Sequence, residues 1–164
     1  MSAASSNRDA RRSAGDVIYV KGHSGYHVYA GTLVHGTSAG YVLPAVGTSA
    51  VANRFIGVAW DEIDCSSTNS KITVADGAET GRVYRRGVFT FAANGTPAQS
   101  HVGMEAYIAD DQTVGVSYGP GNICGRIVDY TSSTYRVQID PEVGERAGLS
   151  GWWLRSRMGY NVSI

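Results

Sequence analysis

The chain has 164 residues and a formal net charge of zero, with 14 Lys plus Arg against 14 Asp plus Glu. That length suits one domain with tails, and the balanced charge argues against general nucleic-acid or acidic-lipid binding. Charged residues are only 17%, against roughly 25% in an average soluble domain, so Gly, Ser, Thr, Asn and Tyr must cover much of the surface. Lys21 and Lys71 are the only lysines. The remaining basic residues are arginines, which suit bidentate pairing with carboxylates at protein interfaces.

Residues 1–14, MSAASSNRDARRSA, carry Arg8, Arg11 and Arg12 in a Ser and Ala-rich stretch with no apolar period. This reads as a flexible arm, and without an apolar core segment it is no export signal. No later run approaches the roughly 18 residues of a membrane span, so the chain is expected to be made and kept in a cytoplasm, with no membrane partner. From Asp16 onward, short runs rich in Val, Ile, Tyr, Thr and Phe alternate with Gly, Asn, Ser and Asp clusters. The runs cover residues 17–20, 26–34, 41–43, 55–60, 72–74, 82–91, 106–108, 113–118, 123–130 and 135–139. Runs at this spacing predict an all-β fold, a sandwich or small barrel. In YRVQID, Val137 and Ile139 share one face while Arg136 and Gln138 share the other, and in KITVAD, Ile72 and Val74 alternate likewise. Gly57, Gly103 and Gly125 each open a run ending in Asp, but at irregular spacing that makes no tandem repeat. At Asp140, Pro141 and Glu142 a helix start is signalled by a capping residue, Pro at the first position and then an acid. The final stretch, GLSGWWLRSRMGYNVSI, crowds Trp152, Trp153 and Leu154 beside Arg155 and Arg157.

The candidate catalytic groups reduce to structural ones. In AYIADDQTVGV, residues 106–116, Asp110 and Asp111 lie between strand-like flanks and read as a hairpin turn, since Asp accepts local backbone hydrogen bonds. His23 and His27 have the spacing of a helical zinc pair. On an extended chain their Cβ atoms stand roughly 13 Å apart, so no shared metal is expected. Ser24, in GHSGY, lacks the last Gly and the helix of a nucleophile elbow and reads as a turn residue. GPGNICG precedes a strand where a phosphate loop would need a helix, and reads as a turn. Arg82, Arg85 and Arg86 flank Tyr84 as a solvated strand or a subunit contact, in preference to a nucleic-acid site. Cys65 and Cys124 belong to no metal or redox pattern and are expected to be buried small apolar residues, a disulfide being the less favoured alternative. No cofactor, metal or enzymatic activity is expected.

The order of features in FIGVAWDEIDCSSTNSKITVADGAETGRVYRRGVFTFAANG, continued by HVGMEAYIADDQTVGVSYGPGNICGRIVDYTSSTYRVQID, resembles the small decoration, or cement, proteins of tailed-phage capsids. The matching elements are a Gly-Val-Ala run at residues 57–59, an Ile-Thr-Val strand, a Gly-Val-Phe-Thr run at 87–90, a Tyr-Ile-Ala-Asp-Asp hairpin, a Gly-Arg-Ile-Val strand and a closing Val-x-Ile-Asp. They span Asp16 to Asp140. The resemblance implies a compact β-barrel-like or tulip-like domain over residues 15–140, forming a homo-oligomer, with a trimer favoured. It would sit on the outside of an icosahedral head, bind the major capsid protein and stabilise the shell. The arm at 1–14 and the extension at 141–164 fall outside the resemblance. Arg8, Arg11, Arg12, Trp152, Trp153, Leu154, Arg155 and Arg157 are the candidate capsid or subunit contacts, as arginines and large apolar groups unsuited to a free tail. A receptor-binding or glycan-binding β-module of a virion spike or fibre is the alternative.

Overall fold

The computed structural model describes residues 6–7, 16–47, 54–117 and 122–142, and the eight candidate contacts in the arm and tail lie outside them. Among the described residues the protein is all-β. Five strands, β1 (Val17–Gly22), β3 (Leu33–Gly36), β4 (Tyr41–Pro44), β5 (Arg54–Ala59) and β7 (Thr80–Tyr84), close into a barrel in the order β1-β4-β3-β5-β7. Five more close into a second: β8 (Gly87–Ala93), β9 (Glu105–Ile108), β10 (Thr113–Gly115), β11 (Ile123–Tyr130) and β12 (Thr134–Ile139), in the order β10-β8-β12-β11-β9. A ribbon of β2 (His27–Val28) and β6 (Ile63–Asp64) stands beside them, and a single 3-10 turn spans Gln99–His101. No helix among the described residues is long and apolar enough to cross a membrane.

The two barrels are one pattern used twice. Each has a single parallel pair, β1 with β4 and β8 with β10, and every other pair is antiparallel. The registers coincide as well. Lys21 pairs with Tyr41 and with Thr80, as Ala92 pairs with Thr113 and with Thr134. A bulge before Gly57 in β5 recurs before Gly125 in β11. The hydrogen bond from Gly31 N to Ala59 O, 2.8 Å, recurs from Gly103 N to Ile127 O, 2.8 Å. The Asp61–Arg82 ion pair recurs as Asp129–Arg136. The irregular glycine spacing in the sequence therefore conceals a repeat, in which GVAWD at 57–61 matches GRIVD at 125–129. The first copy carries an insertion, the segment with β6, between β5 and β7, where the second has a three-residue turn at 131–133.

Alternation along the strands divides the core. Val34, Ala59 and Val83 point into the first barrel with Val28, Val42, Ile63 and Cys65. Their neighbours Leu33, Val58 and Tyr84, with Phe55, point outward and join the second barrel's core of Phe89, Phe91, Ile108, Val114, Ile127, Tyr135, Val137 and Ile139. Each such side chain fully buried is worth roughly 1.5–3 kcal/mol, so the shared cluster binds the barrels together as well as filling one. Polar contacts finish the junction. Leu33 N donates to Asp111 O at 2.7 Å, Val46 bridges Asp110, and a Cβ on Gly47 would meet Ala109 O at 2.3 Å.

Several sequence expectations are corrected here. Residues 72–74 form no strand, and Val74 is 40% exposed, because no strand among the described residues is placed to pair with them. The run at 26–34 breaks into β2 and β3 at a turn through Gly31, whose φ is +82°. The run at 82–91 divides at Arg85 and Arg86, where the chain leaves one barrel for the other. The expected alternation in β12 and the helix start are present: Val137 and Ile139 are buried, Arg136 and Gln138 exposed, and Glu142 N donates to Asp140 Oδ1 at 3.0 Å.

Candidate functional site

The groups that resemble chemistry in the sequence are placed apart and are occupied. Asp110 and Asp111 lie in the β9–β10 turn, where Asp110 Oδ1 accepts from Gln112 N at 3.0 Å while Oδ2 is enclosed without a hydrogen-bond partner among the described residues. His23 Nδ1 lies 3.0 Å from Asp76 Oδ1 but outside hydrogen-bond geometry, and that oxygen accepts from Ser24 N at 2.8 Å. His27 instead bonds Glu62 through Nε2 at 2.6 Å and lies against Tyr29 with the rings tilted by 31° and centroids 4.0 Å apart. The two histidines thus serve different carboxylates, and among the described residues no group of three His, Cys, Asp or Glu could hold a metal ion. Cys65 and Cys124 are free, fully buried and in different core clusters. Burial pushes the Cys124 thiol up to about 12, which suppresses the reactive thiolate.

Carboxylates also gather beside β6, where Glu62, Asp64 and Glu79 line a small polar depression with Asn69 and Lys71. Each has a structural task. Glu79 accepts from Asp64 N at 2.9 Å and Asn69 Nδ2 at 3.2 Å, and Asp64 accepts from Ser66 N at 3.0 Å. Glu62 accepts from Asn7 Nδ2 at 3.1 Å, and this bond together with His27 holds its carboxyl below the usual range. Asn7 Oδ1 in turn accepts from Ala30 N at 3.3 Å. One residue of the arm is therefore fastened to the β2–β6 ribbon, a contact that its composition alone does not signal.

His35 is a second buried ionisable group at the junction, beside Asp111. Val46 N donates to its Nδ1 at 3.5 Å, and the Asn122 side-chain amide lies 3.3 Å from Nε2. The structure sets Asn122 Nδ2 against Nε2, so a neutral ring with its proton on Nε2 would require the amide to present its oxygen there instead. Burial lowers the His35 pKa to about 4, so the ring is neutral at physiological pH.

The outer face of the first barrel differs from these closed sites. Arg82 donates to both oxygens of Asp61 at 2.7 Å, and its guanidinium lies 4.1 Å from the Trp60 ring centroid. Trp60 stacks on Tyr84 at 4.8 Å and 12°. The hydrogen bonds from Arg82 hold the Asp61 carboxyl below its usual range. Beside Arg82 on the neighbouring strand stands Tyr19, 81% exposed. Beyond it, where β1 and β4 separate, Tyr19, Lys21, Gly40 and Tyr41 border an open groove of about 470 Å³. The arginine–aromatic character expected around Tyr84 is present at Arg82. Arg86 lies apart, 3.7 Å from Asp16 and 3.8 Å from Glu142. The groove was missed in the sequence. Its one signal was VIYVKG, residues 17–22, where the outward positions carry Tyr19 and Lys21, but residues 39–41 join them only through the parallel pairing of β1 with β4.

No protein-family model matches this chain, and no curated protein matches it at a significant level.

Proposed function

We propose that the protein is a non-enzymatic virion structural protein of the capsid-decoration type, which binds the outer surface of a phage head as an oligomer, a trimer being favoured, and stabilises the shell. The observation that carries this reading is the resemblance across Asp16 to Asp140, which is coextensive with the two barrels. Supporting it, the described residues are all-β, as the resemblance implies, and the two barrels share one apolar cluster. The His and Asp groups that could serve catalysis are spent on turns and ribbon contacts. A surface of Trp60, Arg82 and Tyr19 also supplies the residue types that dominate protein–protein hot spots. On this reading the partner is the major capsid protein, the location is the capsid exterior, and neither a cofactor nor nucleic acid takes part.

The test is co-sedimentation with undecorated, expanded capsids. Saturable binding at micromolar protein is expected. Absence from the pellet at that concentration overturns the reading, and binding to host polysaccharide instead of capsids transfers the protein to the receptor-binding alternative.

A further inference from the structure

The parallel seams of the two barrels are the same place in two repeats, finished differently. Where the first seam has Tyr19, Lys21 and Tyr41, the second has Thr90, Ala92 and Thr113. Barrel closure is therefore satisfied by small residues, and two phenol rings with an ammonium group at the first seam serve something else. Burial differs in the same sense. Asp111 in the second barrel is 2% exposed, because the first barrel covers its turn through Leu33 N to Asp111 O and the Val46–Asp110 bridge. Its counterpart Ala39 is exposed, with Ser38 and Gly40 on either side. Lys21 makes no ion pair with any described residue.

A second copy of this chain does not fill the groove by repeating the junction. The first barrel docks through Leu33, Phe55, Val58 and Tyr84. At the matching places the second barrel carries Glu105, Ile123, Arg126 and Gln138, and three polar groups there end the series as a polar cap ends a repeat array.

We propose that the open seam of the first barrel binds an extended, carboxylate-bearing peptide segment of a partner protein, laid along residues 37–39 as residues 45–47 are laid along 109–111 in the second barrel. Backbone pairing would supply affinity, Tyr19 and Tyr41 would flank the guest side chains, and Lys21 would select a carboxylate. A groove of about 470 Å³ accommodates a few residues. The proposal does not depend on the capsid reading, since any protein with such a segment qualifies.

Amide chemical-shift mapping on the ¹⁵N-labelled full chain tests it, with acetyl-VEVEV-amide, acetyl-VKVKV-amide and a uronic-acid trisaccharide as probes. Saturable shifts at Tyr19, Lys21 and Gly40 with the acidic peptide are expected. Tyr19→Ala should weaken that binding about tenfold, and Lys21→Glu should reverse the preference toward the basic peptide. Both side chains are exposed, so neither variant should disturb the fold. The proposal is overturned by saturation with neither peptide, by shifts away from the groove, by an unreversed preference in Lys21→Glu, or by tighter binding of the trisaccharide than of the acidic peptide.

Discussion

Gly57 and Gly125 hold the same position in the two barrels, each so close to the next strand that a Cβ would lie 2.1 Å from a carbonyl oxygen, of Tyr84 and of Gln138 respectively. Both also have positive φ, +154° and +159°, a region that L side chains rarely adopt. Gly57→Ala and Gly125→Ala must each displace backbone from a closed barrel, at a cost of about 2–4 kcal/mol. Urea unfolding should show two comparable losses, each in one transition, because the barrels share a core. A variant with wild-type midpoint would contradict the bulge geometry.

His35 makes stability depend on pH. Its folded pKa of about 4 lies below the ordinary value of 6.5, so between those values the unfolded chain binds the extra proton and the folded chain does not. Stability should be full above pH 6.5, fall as pH drops toward 4 by about 3 kcal/mol, and level off from this group below that. Unfolding midpoints should slope between pH 5 and 6.5 in the wild type and be nearly flat over that range in His35→Gln, the depressed carboxyls of Asp61 and Glu62 adding a slope to both only below about pH 5.

Asp61 acts lower on the pH scale. Its depressed carboxyl stabilises the fold above the ordinary carboxylate pKa near 4, and this contribution is lost as pH falls through the folded value. The pair is about one-third exposed, so Asp61→Asn should cost only about 0.5–1 kcal/mol at pH 7. Asp129→Asn, removing the longer 3.3 Å contact between more exposed groups, should leave the urea midpoint almost unchanged. Equal losses from the two variants would show that Trp60 stacking adds nothing to the first pair.

The two thiols report on opening of the cores. Cys65 and Cys124 are both fully buried and unpaired, so a thiol reagent should label neither in the native protein at pH 8 and both in denaturant. Rapid native labelling of one cysteine would reveal that its barrel opens independently of the other.

The sequence by itself determined what depends on neighbours along the chain. Val137 and Ile139 alternate with polar residues and are buried in β12 as their spacing requires. Asp110 bonds a nearby backbone N–H and forms the turn its composition predicts, and Asp140 caps the residue two positions on. The same local rule failed at Ile72 and Val74, whose pattern is strand-like but which pair with no strand among the described residues. Alternation describes a face and cannot supply the strand beside it. Only the tertiary structure decided that there are two barrels, since closure depends on distant pairings such as Lys21 with Tyr41 and Ala92 with Thr113. An insertion between β5 and β7 hid their equivalence from any fixed period. It also decided what the exposed residues face: Tyr84, between arginines in the sequence, packs against Phe89 of the second barrel, while Tyr19 and Lys21 remain in water beside Tyr41. Strand period sets which side of a sheet a residue takes, but whether that side meets a neighbour or solvent is settled by how the closed barrels pack.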